Sequence, residues 1–175
     1  IDNLEIEIDA NTERIENLEN EYCIFIADSY GGVRNDVTGW NLLLPNKMGL
    51  SSTQYKSITQ SNAGFVSGQI TFLEALQNHI SEIPDLEKVT KIFVCGGDND
   101  RNETISDIET AINSFVNYVH TNMPNAHVYI GMIGYSTNIE RRRLIMYSPL
   151  IAYSNCAYSN NKTSYLNGVE FGCTN

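Results

Sequence analysis

Beyond residue 21 the chain alternates two hydrophobic patterns. Short unbroken apolar runs occur at CIFIA (23–27), KIFVCGG (91–97) and HVYIGMIG (127–134). Each is too short for a helix and is bounded by turn-forming residues, so each reads as a buried strand. YKSITQSNAG (55–64) reads as a second strand entering a glycine-containing turn, and TSYLNGVEF (163–171) as a fifth. Between the runs, apolar residues recur every three or four positions. Leu73, Leu76, Ile80 and Ile83 share one face of a helix over 70–83, and Ile105, Ile108, Ile112, Phe115 and Val119 share one face of a helix over 104–121. Thr104 and Asp107 make a capping-box start for the latter. A short helix over 39–50 is expected to end near Pro45, and another spans 140–153. Buried strands alternating with amphipathic helices predict a three-layer α/β architecture, with a parallel sheet covered on both faces through right-handed crossovers.

Residues 1–21 follow a different rule. Ile1, Leu4, Ile8, Asn11, Ile15, Leu18 and Tyr22 are spaced alternately three and four apart, and Glu, Asp and Asn fill most positions between them. A narrow seam of this kind is the a/d stripe of a coiled coil, whereas a helix packed on its own domain needs a broader apolar face. The expectation is an N-terminal coiled-coil helix over 1–21 that self-associates, followed by one α/β domain over 22–175. Ile at a with Leu at d favours a dimer, Asn11 would set the register, and a trimer stays open. Three heptads are marginal unless more coil lies upstream.

Composition narrows the function classes. At 175 residues the chain has the size of one domain, and its net charge is −10. Eight acidic residues and one basic residue fall within 1–21, leaving the remainder at −3. A nucleic-acid partner would need clustered Lys and Arg, so none is expected. No apolar run reaches the ~18 residues of a membrane span, and no signal peptide is visible. Because the first residue is Ile, the sequence is expected to be a fragment or a processed product. The four cysteines follow neither a metal spacing nor CxxC, so no metal is expected. Cys23 and Cys95 lie in strand-like runs, and nothing requires a Cys156–Cys173 bridge. Free thiols favour a reducing origin, which fits cytoplasmic synthesis and leaves the final location open.

In open parallel sheets ligands bind at the carboxyl ends of the strands. That rule selects Ala27–Gly32, Asn62–Phe65 and Gly96–Asp100. Ser29 could be a nucleophile. Its backbone N–H, that of Gly64 and the Asn99 side-chain amide could bind the negative charge that develops on a carbonyl oxygen during acyl transfer. Gly64 suits this because no side chain blocks the approach. Competing readings exist for the same residues. Ser29 could cap a following helix, and Asp98 and Asp100 suit turns, with Asp100 holding a loop. A Mg²⁺ pair there would want a lysine near the end of the fifth strand, which is not evident, and SYGG is thin for a flavin phosphate loop, so no cofactor is expected. Arg141-Arg142-Arg143 reads as a solvated helix face, and the sequons at Asn102 and Asn161 matter only on a secretory route.

These segments resemble the motif blocks of the SGNH (GDSL-type) hydrolases. Ala27-Asp28-Ser29-Tyr30 resembles the first block, Gly-Asp-Ser, with Ser29 at the nucleophile; Gly64 matches the second-block glycine; and Gly97-Asp98-Asn99-Asp100 fits Gly-x-Asn-Asp. The resemblance covers about residues 23–171 in order and spacing. It implies a flavodoxin-like sheet, a serine nucleophile, and ester or acetylated glycan substrates. Two features depart from it: Ala27 replaces a glycine, and no Asp-x-x-His occurs anywhere. His79, His120 and His127 do not fall at the family's position, and without a base a serine is a poor nucleophile. The resemblance therefore implies a serine esterase whose histidine lies beyond Asn175, the C-terminus being expected to be incomplete. The rival expectation is an inactive structural or glycan-binding module. A coiled coil carrying such a domain also resembles multimeric appendages of the phage tail or baseplate type, with a surface glycan as partner.

Overall fold

The computed structural model describes residues 21–32, 38–100, 102–132 and 163–167. The coiled-coil segment, the helix expected over 140–153, the Arg141–Arg143 run, Asn161, Cys156 and Cys173 lie outside the described residues. Five parallel strands form one sheet: β1 (Tyr22–Ala27), β2 (Tyr55–Thr59), β5 (Val89–Cys95), β6 (His127–Met132) and β7 (Thr163–Asn167), in the order β2-β1-β5-β6-β7. The parallel sheet expected from the alternating pattern is therefore present, and its strand order is the flavodoxin-like one that the resemblance implied. The most apolar of these strands, β1, lies between β2 and β5, and Cys23 through Ala27 are completely buried. Such two-sided burial is what an unbroken apolar run predicts.

Alternation along β1 separates two faces. Ile24 and Ile26 join a core with Ile92, Val94, Val128 and Ile130 from the neighbouring strands. Phe72, Ala75 and Leu76 of α2 (Phe72–His79) and Ile108, Ile112, Phe115 and Val116 of α3 (Ile105–Asn122) complete it. On the other face, Phe25 stacks on Phe93 at 5.1 Å between ring centroids, and Phe93 stacks on Tyr129 at 4.7 Å. Trp40 of α1 (Trp40–Lys47) meets Phe25 edge-on. Helices thus cover both faces of the sheet. No helix among the described residues is long and apolar enough to cross a membrane.

Three boundaries differ from the sequence pattern, each for a local reason. Helix α1 continues through Pro45 instead of ending there. Proline lacks the N–H that would bond the carbonyl four residues back, and that carbonyl, on Asn41, accepts the Ser57 hydroxyl at 2.6 Å instead. Strand β2 stops at Thr59, because the chain turns through Asn62 at φ 56° into a short pair, β3 (Ala63–Gly64) with β4 (Ile70–Thr71). Helix α2 begins at Phe72, two residues later than expected. Thr71 caps it in a full capping box with Glu74, and the last turn, Ile80–Glu82, tightens to 3₁₀. Helix α3 starts as expected, with the Thr104 side chain accepting the Asp107 N–H.

Candidate functional site

Three segments leave the carboxyl edge of the sheet where β1, β2 and β5 end. After β1, Asp28 is wholly buried, and its Oδ1 accepts the Tyr30 N–H at 2.9 Å. The Gly31 N–H closes a turn on the Asp28 carbonyl at 3.0 Å. These two bonds hold Ser29, half-buried, at the tip of a tight turn directly beyond β1. Ser29 is not a helix cap, because α1 begins eleven residues later and is preceded by Gly39, which makes no side-chain cap.

After β5, Gly97 adopts φ 113°, a conformation glycine reaches without penalty. It turns the chain into the 3₁₀ segment Asp98–Asp100. Asn99 donates its Nδ2 to the Ala63 carbonyl at 2.6 Å. Asp100, 1% exposed, accepts three consecutive amides: Phe65 N–H at 2.8 Å on Oδ2, and Val66 and Ser67 N–H at 2.9 Å each on Oδ1. The Ser67 hydroxyl bonds the Glu103 carboxylate. Asp100 therefore holds the loop, as its place in the sequence suggested. Gly64 lies inside this grip. A Cβ there would stand 2.5 Å from Asp100 Oδ1 and 2.6 Å from the Ser67 carbonyl, so glycine is needed for close approach as well as for access.

The turn after β1 and the one after β5 are joined through Asp28. A Cβ on Gly96 would lie 3.0 Å from Asp28 Oδ2. That oxygen is buried and has no hydrogen-bond partner. Burial pushes the Asp28 carboxyl up to about 6; the Tyr30 N–H bond opposes the shift, and the charges of Asp98 and Asp100 add to it. Asp100 is also raised by burial, with its three amide bonds and the Glu103 charge as smaller influences. Asp28 carries a strongly perturbed carboxyl that the motif reading passed over. The available signal was a carboxylate directly after a continuous apolar run, where burial follows from the strand itself.

The histidines stand elsewhere. In a parallel sheet each connecting helix must return to the amino edge, so its last turn lies opposite the carboxyl rim. His79 ends α2 and contacts Glu82 at 2.7 Å, and Glu82 also pairs with Lys56 near the start of β2. His120 falls in the last turn of α3. His127 opens β6 in register with Lys91 and packs on the Tyr129 ring. None of the three histidines in the sequence reaches the rim that carries Ser29, Gly64 and Asn99. His127, the first candidate for a substitute base, is excluded by its place at the wrong end of its strand. Among the described residues no group of His, Cys, Asp and Glu is placed to hold a metal ion.

The fold is that of the SGNH-like carbohydrate esterases. A family two carbohydrate esterase from Clostridium thermocellum, solved in complex with cellohexaose, superposes with TM-score 0.61 at 14% identity, over 84% of this chain and 53% of its own. An acetyl xylan esterase from the rumen bacterium Butyrivibrio proteoclasticus superposes with TM-score 0.56 at 16% identity, over 84% and 55%. A family two carbohydrate esterase from Cellvibrio japonicus gives TM-score 0.60 at 11% identity, over 83% and 51%. The chain thus spans about half the length of these esterases. No protein-family model and no curated protein sequence matches it.

Proposed function

We propose that this chain carries the nucleophile and oxyanion hole of a serine esterase acting on ester or acetylated glycan substrates. Ser29 attacks the carbonyl carbon. The Ser29 and Gly64 amides and the second N–H of the Asn99 side chain receive the oxyanion. A histidine from outside these 175 residues takes the serine proton and returns it to the leaving alcohol, and the resulting acyl-enzyme is then hydrolysed by water. The observation that carries this reading is the Asp98–Asp100 turn, which binds the Gly64 loop beside the turn that presents Ser29. The fold shared with carbohydrate esterases supports the substrate class.

Hydrolysis of p-nitrophenyl acetate and of acetylated xylo-oligosaccharides tests it. The 175-residue chain should turn over barely above background and be labelled poorly by a fluorophosphonate, because the base is missing. The chain extended through a downstream Asp-x-x-His should show both signals, Ser29→Ala should abolish them, and Asn99→Ala should cost about 10²–10³ in rate. An extended chain with no Ser29-dependent turnover overturns the esterase reading.

The absence of histidine from the rim favours one second reading, an SGNH-like module retained for glycan binding or assembly. Glycan-array binding without turnover would support it. Self-association through residues 1–21, as in a multimeric appendage, is a separate part of the proposal. Light scattering on the whole chain and on one starting near Tyr22 tests it, and a monomer in both overturns it.

A further inference from the structure

Two adjacent side chains grip one loop from opposite ends. Asn99 holds the carbonyl of Ala63, and Asp100 holds the amides of Phe65, Val66 and Ser67. Gly64, between them, lies with its backbone against the carboxylate. We infer that Asp100 is a positioning residue for the oxyanion hole, fixing the Gly64 amide and the Asn99 amide relative to each other; this rests on the esterase reading above.

Beyond the pairing of Ala63 and Gly64 with Ile70 and Thr71, the geometry leaves the loop few other restraints. One N–H of Asn99 is committed to Ala63, so the direction of its second N–H follows wherever Ala63 goes. The Ala63 amide bonds the Gln60 carbonyl at a long 3.3 Å, and Gln69 N–H reaches Asn62 at 3.0 Å. The Phe65 ring is anchored edge-on against Phe72 and Phe115. Val66 and Ser67 lack an aromatic anchor of that kind, and their amides go to Asp100, with the Ser67 hydroxyl on Glu103. The carboxylate is itself fixed, because Asp100 N–H bonds Gly97 at 3.1 Å and Glu103 N–H bonds the Asp100 carbonyl at 3.0 Å. The nest of three amides is thus filled by the protein's own anion, and the 3₁₀ turn that carries Asn99 and the loop that carries Gly64 move as one piece. Charge fits this arrangement. A bare carboxylate beside an oxyanion would oppose catalysis, and three amide donors directed at Asp100 counter its field at the hole.

The test uses the extended, active chain and the substitutions Asp100→Asn, Asn99→Ala and the pair together. Asp100→Asn keeps shape but replaces one acceptor oxygen by a donor. It should lower kcat about 10–100-fold with KM nearly unchanged, because small misplacements of donors act on the transition state. The pair should lose less than the product of the two single losses, since part of the Asp100→Asn effect passes through the Asn99 donor. Multiplying losses, or an unchanged kcat in Asp100→Asn, overturn the inference. Amide hydrogen exchange supplies a readout independent of turnover: Val66 and Ser67 should exchange at least about tenfold faster in Asp100→Asn, while β1 and β5 amides stay protected. Equal exchange in the two proteins also overturns it. A wild-type chain without Ser29-dependent turnover removes the esterase reading and the oxyanion role with it, and the exchange data then show whether the loop tie stands by itself.

Discussion

At the carboxyl edge of the sheet Asp28, Asp98 and Asp100 are buried, whereas at the amino edge the Glu82 side chain is 47% exposed between Lys56 and His79. Residues of the same chemistry serve different ends in the two places. Taking a carboxylate out of water is expensive, and only specific partners offset it. Asp100 meets that demand with three amides, and Asp28 meets it only in part, with one oxygen left unpartnered. Exposed pairs in water contribute little and tolerate loss. The buried Asp100 therefore fixes geometry at the carboxyl edge, whereas the exposed Glu82 contributes little to it at the amino edge.

Breaking the carboxyl edge should have the largest effect. Gly64→Ala places a Cβ against Asp100 Oδ1 and the Ser67 carbonyl and so forces the loop off its three bonds. Overpacking and lost charge-assisted bonds together should destabilise the fold by about 3 kcal/mol in urea unfolding. Unchanged stability would mean that the grip is loose.

Asp28→Asn sharpens the contrast through pH. With its carboxyl raised to about 6 in the fold, above the unfolded value, Asp28 binds a proton more tightly folded than unfolded. Its contribution is thus lost as pH rises from about 4 to about 6, and the loss persists above that. The variant has no such proton, so its stability relative to wild type should improve by about 2–3 kcal/mol between pH 4 and pH 8. Urea midpoints at the two pH values measure this, and a constant difference would show that burial does not raise the Asp28 carboxyl in the fold.

The smallest effect belongs to the amino edge. Lys56→Met removes a half-buried partner of the exposed Glu82 and should leave both the thermal midpoint and the rate within experimental scatter. A clear loss in either would erase the distinction between the edges.

The sheet was legible because its signal is simple. Buried parallel strands are written as unbroken apolar runs, and CIFIA, KIFVCGG and HVYIGMIG all became strands. The ends of elements were harder to place, because tertiary partners decide them. Helix α1 passes through Pro45 only because Ser57, far along the chain, takes the orphaned carbonyl. Ser29, Gly64 and Asn99 could be singled out because strand ends collect ligands, and the structure puts Ser29 in the turn after β1, Asn99 in the 3₁₀ segment after β5 and Gly64 in the short strand β3 that Asn99 and Asp100 hold. The role of Asp28 was legible only in part: its burial follows from the apolar run before it, but a single sequence does not reveal that its second oxygen would lie unpartnered beside Gly96. That the histidines face the other way emerges only once helix direction is known.

The order of the strands also bears on how the chain reaches its native state. β1 pairs with β2 along Cys23–Ala27 and with β5 along Tyr22–Ala27, and every ladder in the main sheet is parallel. No strand of this sheet can zip up through a hairpin, and each pairing must close a long loop before it gains a hydrogen bond. Ala27 meets Cys95 only after β2, the Gly64 loop and α2 have been made. Folding is accordingly slow and non-local. During synthesis β1 emerges before the other strands of this sheet and waits longest for its second neighbour, which makes CIFIA, among the described strands, the segment most exposed to wrong partners while they are made.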